Sequence, residues 1–365
     1  MEHSESSILI LENIELLSKL KKISSFPFNL KTIISIRKTS NTNILKDVSI
    51  NFFILNKIIK PSFNPKNQSL MQENNLEIKE EDIASIIYTK DSANNLKGAV
   101  ITHKAFVTML NNTAITMEKT LGSEDKSLLL SPLYDIKGRS YSHFIFPLGI
   151  QIIYPESIET PINTIIQIKP SIIMGDSKIL KDIYNNKMKK VNHYLMIEKK
   201  IFNWAMKVSD KYYFKIEKNI SPTTREILEK AIAYKIFFSK IYEHIGGNLR
   251  FFISTEKPLA SEIIRFFCHA NIIILEGHGL AETVGVFTIN PPEKQIPETV
   301  GLPMGDVRLK IASNGKILIK SRALFSGYYK NSHSTSQAFV DDYFCSEEFG
   351  QITNNGYLKI TRHNI

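Results

Sequence analysis

The chain has 365 residues, 43% of them hydrophobic and 22% charged, which is a globular composition with enough apolar side chains for a sizeable core. Its formal net charge of +10 suits an anionic ligand or an anionic membrane surface. No basic stripe with interleaved aromatic residues occurs, which argues against nucleic acid as a partner, and no apolar run reaches the roughly 18 residues of a membrane helix.

The first 79 residues hold short apolar segments between polar ones. The N-terminus lacks the basic and apolar regions of a signal peptide, so we expect a cytoplasmic protein. Residues 8–11 predict a strand, and leucines at helical spacing predict a helix over residues 13–22. Residues 52–55 fit a strand or the start of a helix, and the polar residues 60–75 predict a loop.

Residues 85–103 predict a strand, a polar loop and a second strand, with a helix following over residues 104–117. This is the layout of a hairpin that cradles phosphate through backbone N–H groups, and it is equally the layout of a plain surface hairpin. The loop contains no glycine, but Asn94 and Asn95 tolerate left-handed backbone and Ser92 can donate a hydrogen bond.

Apolar strand-like segments then alternate with amphipathic helical ones as far as residue 275. This alternation predicts an α/β fold with a largely parallel sheet. Trp204 lies in one of the helical segments and is interpreted as a core residue. The predicted strands are residues 128–133, 151–154, 171–174, 248–254 and 272–275, and the predicted helices are residues 160–168, 176–185, 199–243 (interrupted near 221–222) and 259–269.

The stretch from Ile272 to Val284 combines a buried strand with Gly277, Gly279 and the carboxylate of Glu282. We interpret the two glycines as a turn that ends the strand. A buried strand that ends in a glycine-rich turn with one acid is a common way to hold a nucleotide and its metal. The alternative is an ordinary turn.

After residue 292 the sequence changes to short strands separated by glycines. Residues 307–311, 316–319, 327–329 and 357–360 predict a small, mainly antiparallel β unit, with a hairpin turn at Asn314-Gly315. We therefore divide the chain into residues 1–79 (an incomplete N-terminal portion of a large domain), residues 80–298 (an α/β core) and residues 299–365 (the small β unit).

Several segments resemble, in the same order, motifs of the adenylate-forming (AMP-binding) superfamily, most closely its long-chain fatty acyl-CoA synthetases. The order and number of these motifs make the resemblance far more specific than any one of them. The segments are residues 86–89 with 97–103 (phosphate loop), 154–160 and 169–174 (typical of the long-chain members), 246–254 with 258–259 (ahead of the adenine pocket), 276–283 (nucleotide and magnesium motif), 299–303 and 327–331.

The resemblance implies a fold and a reaction. The fold would be a partial large domain of mostly parallel sheets flanked by helices, with a small antiparallel β unit and without the family's mobile C-terminal domain. The reaction would activate a fatty acid with ATP to an acyl-adenylate, and coenzyme A would then displace AMP. Both steps build negative charge on phosphate oxygens, which amide donors, a lysine and Mg²⁺ would stabilise.

By motif position the resemblance also implies site residues. Glu282 would hold Mg²⁺ and act with Lys97 in catalysis. The nucleotide would meet Ser92 and Lys97 at its phosphates, His278 and Gly279 at adenine, Glu348 and Arg362 at ribose, and the remaining motif residues Gly277, Ala281 and Thr283.

The departures from the family pattern fall on these positions. An acid in the phosphate loop opposes a polyanion, and an alanine in place of threonine removes a hydrogen bond to phosphate. The departures in this chain are Asp91 in place of glycine, Ala281 in place of threonine, Glu256 and Lys257 in place of small residues, Glu348 in place of aspartate, and Asp135 and Gly138 in place of a histidine and a glutamate on the substrate side.

Two hypotheses follow. In the first, the chain is an acyl-CoA synthetase, or the nucleotide-binding fragment of one, that uses fatty acid, ATP, Mg²⁺ and coenzyme A. A separate chain would then supply the C-terminal domain and its adenylation lysine, with peripheral contact to a membrane. In the second, it is a non-catalytic remnant that binds acyl chains or a partner.

Overall fold

The computed structural model describes residues 3–12, 15–17, 29–37, 50–58, 77–90, 94–155, 161–218, 220–255 and 258–361. The chain forms two compact units, Met1–Lys79 and Glu80–Ile365. Most of the helix predicted over residues 13–22, and the whole loop predicted over residues 60–75, lie outside the described residues.

The first unit contains a three-stranded parallel sheet. Its strands are β1 (Ile8–Leu11), β2 (Thr32–Ser35) and β3 (Asn51–Ile54), paired in that order, and a short helix α1 (Leu55–Ile58) follows the last strand. Residues 52–54 therefore belong to a strand and residue 55 begins a helix, so each of the two predictions for this segment is confirmed in part.

The second unit is built on a large mixed sheet, as the alternation of strands and helices predicts. Seven of the described strands follow the order β12-β11-β10-β9-β8-β6-β7, with parallel pairing from β7 to β10. The strands are β6 (Lys126–Leu129), β7 (Gln151–Ile153), β8 (Ile172–Gly175), β9 (Phe251–Ser254), β10 (Ile273–Leu280), β11 (Gly285–Ile289) and β12 (Leu302–Pro303).

Helices cover this sheet because each carries an apolar face. The largest core cluster packs Phe238, Phe252, Phe266 and Phe267 between helices and strands, all of them at most 1% exposed. The helices are α2 (His103–Met117), α3 (Ile136–Ile145), α4 (Pro161–Ile168), α5 (Ser177–Asn192), α6 (Met196–Glu217), α7 (Thr224–Ala233), a π-helical turn (Tyr234–Phe238), α8 (Ser239–His244) and α9 (Ser261–His269).

The interruption predicted near residues 221–222 is present between α6 and α7, where Thr223 and Glu226 form a capping box at the start of α7. The prediction that Trp204 is a core residue is wrong, because its side chain on α6 is 38% exposed. Among the described residues, every helix is too short or too polar to cross a bilayer.

Two smaller sheets complete the second unit. β4 (Ile83–Lys90) and β5 (Leu96–Thr102) form the predicted hairpin, and Asn94 has the left-handed φ of 65° expected of it. The antiparallel unit near the C-terminus is confirmed, with the order β13-β14-β17-β16 and β18 beside β17. Its elements are β13 (Arg308–Ile311), β14 (Lys316–Lys320), α10 (Ser332–Ala338), β16 (Phe339–Val340), β17 (Tyr343–Ile352) and β18 (Leu358–Thr361).

One strand assigned to that unit from the sequence belongs elsewhere. β15 (Gly327–Tyr328) pairs with β5 in the sheet of the hairpin, with Tyr328 opposite Ala99. Short-range patterns cannot reveal such a pairing, because the two segments are more than half the chain apart. The consequence is that Tyr328 and Lys97 lie on adjacent strands.

Candidate functional site

The turn after β10 is held by one hydroxyl group. Thr283 accepts a hydrogen bond from the Leu280 N–H at 3.0 Å and donates one to the Gly285 carbonyl at 2.7 Å. Val284 and Gly285 take left-handed φ values of 57° and 118°, which reverse the chain into β11. The turn is therefore fixed at both ends, with Glu282 inside it.

The prediction that Gly277 and Gly279 form the turn is wrong, since β10 continues through both to Leu280. Because glycine has no side chain, β11 can lie close to β10 at both positions. A Cβ on Gly279 would lie 2.6 Å from the carbonyl carbon of Gly285, and one on Gly277 would lie 2.8 Å from the Thr288 carbonyl oxygen. The strand pairing slips between His278 and Gly279, so a bulge bends β10 at this point.

Glu282 is a buried carboxylate, with 8% of the residue exposed. It accepts a hydrogen bond of 2.8 Å from the Tyr328 hydroxyl. Burial raises the pKa of the Glu282 carboxyl above its ordinary value, and Glu347 adds to that shift, whereas the Tyr328 hydrogen bond and Lys97 oppose it. The Lys97 ammonium lies 5.2 Å from the centre of the Tyr328 ring. The β10 turn, β15 and β5 thus bring together the two predicted catalytic groups.

These groups line a pocket of about 390 Å³ with charges of both signs. The Lys97 ammonium is 3.9 Å from the carboxylate of Glu347 on β17, which is half exposed. The lining residues among those described include three lysines (Lys90, Lys97 and Lys316) and three glutamates (Glu282, Glu347 and Glu348).

His278 and Glu348, assigned by resemblance to opposite ends of a nucleoside, are in direct contact. The Nε2 atom of His278 and the Oε2 atom of Glu348 share a hydrogen bond between β10 and β17. The His278 ring also meets the Phe287 ring edge-on, with 5.4 Å between ring centres. The structure therefore unites these two residues, and their roles toward a nucleotide stay predictions.

The remaining predicted residues do not all reach the pocket. Ala281 is buried in an apolar cluster with Val284 and Phe287, and the Thr283 hydroxyl is used by the turn. Ser92 and Arg362 lie outside the described residues.

Comparison with known proteins identifies the family. The sequence matches the profile of the AMP-binding enzyme family over residues 1–329, which is most of the chain. The chain belongs to the AMP-binding enzyme family.

Its relatives in that family include long-chain acyl-CoA synthetases. Long chain acyl-CoA synthetase 3 of Arabidopsis thaliana is 29% identical over 303 residues, covering 78% of this chain and 44% of the plant protein. Fatty acyl-CoA synthetase A of Dictyostelium discoideum is 24% identical, covering 99% of this chain and 54% of that protein. The chain spans about half the length of these relatives.

Solved structures of the family share the fold. The N-terminal domain of FACL13 from Mycobacterium tuberculosis superposes with a TM-score of 0.66 at 16% identity, covering 99% of this chain and 75% of that one. The anthranilate CoA ligase AuaEII, solved with anthranoyl-AMP, gives a TM-score of 0.67 at 16% identity, covering 98% and 59%. The predicted α/β fold is therefore confirmed.

Three residues of this AMP-binding domain were not assigned a role from the sequence. Tyr328 lies in the segment 327–331 that resembles a family motif, but its contact with Glu282 depends on the pairing of β15 with β5. Glu347 carried no signal of its own. Glu276 is part of the nucleotide motif, yet it faces the interior, where it accepts a hydrogen bond of 2.7 Å from the Leu259 N–H.

A second cavity, of about 830 Å³, opens at the carboxyl ends of β6, β8 and β9. This is the edge at which α/β sheets usually bind ligands. Leu130, Gly175 and Thr255 follow or end these strands and line it, together with Asp135 and Lys137 of the segment that departs from the substrate-side motif. Asp135 caps α3 by accepting a hydrogen bond of 2.8 Å from the Lys137 N–H.

Glu276 makes the stability of the domain depend on pH. Burial raises the pKa of its carboxyl from 4.5 to about 7, although the Leu259 N–H works in the opposite direction. Because the folded state keeps the proton to a higher pH than the unfolded state, the free energy of unfolding falls as pH rises through this window. Between about pH 5 and about pH 8 we expect the free energy of unfolding of the wild type to fall by about 3 kcal/mol because of this group. Glu276→Gln should abolish this fall, which urea unfolding at the two pH values measures.

Glu118, an exposed carboxylate, offers the matched control. Glu118→Gln should leave the pH dependence of the wild type in place. Equal pH dependence of the Glu276→Gln variant and the wild type would show that Glu276 is ionised in the folded state.

Proposed function

We propose that this chain binds Mg-ATP and a long-chain fatty acid and takes part in forming the acyl-adenylate that coenzyme A later converts to acyl-CoA. The observation that carries the proposal is the convergence of Glu282 and Lys97 on Tyr328 in one pocket. Membership of the AMP-binding family and similarity to long-chain acyl-CoA synthetases support the substrate class.

Lys97 would face the phosphates. Its side chain is 19% exposed, and its ammonium group lies 3.9 Å from the carboxylate of Glu347. Stabilisation of charge that develops on the α-phosphate needs such a fixed cation in a site with little water. In this role Lys97 exchanges Glu347 for phosphate oxygens when ATP enters.

The donor set fits Mg²⁺. Within the described residues, no three His, Cys, Asp or Glu side chains converge as a metal cluster, so the protein would offer fewer than three ligands, Glu282 among them. Mg²⁺ is commonly held by one or two carboxylates together with substrate phosphates and water. When bound, it would neutralise phosphate charge. Glu282 must be ionised to bind the metal, and its raised pKa makes ionisation harder at acidic pH.

The other ligand roles extend this proposal. His278, Gly277 and Gly279 would meet the adenine side, and Glu348 and Arg362 the ribose. Ser92, Ala281 and Thr283 would lie toward the phosphates. We place the acyl group in the cavity at the carboxyl ends of β6, β8 and β9, since it adjoins Thr255 and is partly apolar.

The relatives contain about as much sequence again outside the matched part. For the transfer to coenzyme A we propose that such further residues, in the same protein or in a separate chain, take part. We also propose a cytoplasmic location.

A second candidate is a non-catalytic protein that binds acyl chains or a partner. The observation in its favour is that carboxylates already engage two of the residues that were assigned to the nucleotide. Glu347 lies beside Lys97, and Glu348 shares a hydrogen bond with His278. Both acids would oppose a polyanion such as ATP.

Calorimetric titration of Mg-ATP into the folded chain separates the two candidates. We expect binding, and we expect Lys97→Met to weaken it about tenfold, or about 1.4 kcal/mol, since one charge-assisted contact is lost. The control Lys104→Met removes an exposed lysine that pairs with Glu80 and Glu81 at the surface. It should leave the affinity unchanged. No heat of binding by folded wild type would favour the second candidate.

A further inference from the structure

The corner between α5 and α6 exposes large apolar side chains to solvent. Leu195, Met196 and Ile197 follow one another in sequence and are 71%, 77% and 65% exposed. Single exposed apolar residues are ordinary on protein surfaces, but three in succession form a patch that water solvates poorly.

The patch continues along α6. Ile201 and Trp204 are 39% and 38% exposed, and they follow Ile197 at intervals of four and seven residues, so the three lie on one face of the helix. Trp204 is the only tryptophan in the sequence. Tryptophan favours surfaces where an apolar ring can lie beside polar groups, as at a membrane–water interface.

Lysines border the same corner. Lys187, Lys189 and Lys190 lie in the last turns of α5, and Lys199 and Lys200 lie in the first two turns of α6. The only acid between residues 187 and 200 is Glu198, and its carboxylate accepts the Leu195 N–H at 2.8 Å. Positive charge therefore dominates the segment of the chain that carries the start of the apolar patch.

A cavity of about 510 Å³ lies between α5 and α8 on this side of the domain. Lys189, Lys190 and Lys240 line it together with His244, and isoleucines such as Ile183 and Ile241 also line it. A cationic lining that includes apolar side chains suits a phosphate group that is attached to hydrocarbon.

We propose that this corner, the basic apolar surface, docks on the anionic face of a phospholipid bilayer. It consists of Leu195, Met196, Ile197, Ile201, Trp204 and the five lysines between residues 187 and 200. The apolar side chains would enter the headgroup boundary while the lysines attract anionic lipids. A second copy of the chain fits less well, because a symmetric contact would place one set of lysines against the other. The proposal does not depend on adenylation.

Trp204 reports on this contact directly. We expect vesicles of phosphatidylcholine mixed with phosphatidylglycerol to shift its emission to shorter wavelength and to protect it from a water-soluble quencher. Vesicles of phosphatidylcholine alone should do neither, and high salt should weaken the effect because salt screens the lysines.

Matched variants test both parts of the surface in vesicle sedimentation. We expect Lys189→Glu with Lys190→Glu to reduce affinity about tenfold or more, and Ile197→Ser to reduce it about fivefold. The controls are Lys119→Glu with Lys294→Glu, which makes the same change of charge elsewhere, and Ile115→Ser on α2, where the isoleucine is 69% exposed. The control variants should bind as wild type does.

Three results would overturn the proposal. The first is equal binding to neutral and anionic vesicles, and the second is an equal loss of binding in test and control variants. The third is self-association of the wild type that Ile197→Ser abolishes while vesicle binding stays unchanged, which would assign the surface to a second copy.

Discussion

Replacing Glu282 by glutamine should weaken the binding of Mg-ATP about 100-fold, or about 3 kcal/mol, which is the upper range for a buried charge-assisted contact. The carboxylate is buried and held by Tyr328, so glutamine can keep the hydrogen bond of 2.8 Å and the packing. The variant loses only the charge. Isothermal titration calorimetry with Mg-ATP measures the difference.

Glu347→Gln provides the matched control, because it removes one negative charge from the same pocket. Glu347 pairs with Lys97, so its loss should leave Mg-ATP affinity unchanged or raise it. In excess EDTA the Glu282→Gln variant should bind ATP at least as well as wild type, since a buried acid then only repels phosphate. A loss of the same size with and without Mg²⁺ would contradict the metal role of Glu282.

The second large effect is expected at Gly279, where alanine should lower the free energy of unfolding by about 3 kcal/mol. An added Cβ would meet the backbone of Gly285 and would lie 2.7 Å from the Cα of Val286. Backbone atoms of a paired strand cannot rotate away as a side chain can, so β10 and β11 must separate. Urea denaturation measures the loss, and calorimetry should show weaker Mg-ATP binding because the Glu282 turn moves with the strands.

Gly122→Ala is the control for this substitution. The three atoms nearest to a Cβ there belong to the side chain of Glu124, which is flexible, and neither glycine has a positive φ. We expect a change of less than 1 kcal/mol from Gly122→Ala. Similar stabilities for the two variants would mean that β10 and β11 adjust to a side chain without cost.

The large sheet could be predicted from the sequence because its information is local. Buried parallel strands are short apolar runs, and β8, β9 and β10 each stand out between amphipathic helices. The glycine turn was misplaced because glycine serves a turn and a close strand approach equally well, and the sequence does not distinguish them. The burial of Trp204 was wrong because α6 presents apolar residues outward as well as inward.

The candidate site also contains residues that local sequence could place and contacts that it could not. Glu282 could be placed because it follows a buried strand directly. Its partner Tyr328 lies 46 residues further along, and the partner of His278 lies 70 residues away, so both contacts depend on strand pairing across the unit. The ligand roles of Ser92 and Arg362 stay predictions from resemblance alone.

The pairing of β15 with β5 also has a kinetic consequence. Gly327 and Val100 are opposite each other although more than half of the chain separates them. The hairpin of β4 and β5 can close early because its contacts are local, but β15 must wait until the intervening sheet and helices bring it back. The contact between Lys97 and Tyr328 therefore depends on a long-range pairing, and we expect it to form after the hairpin of β4 and β5 has closed.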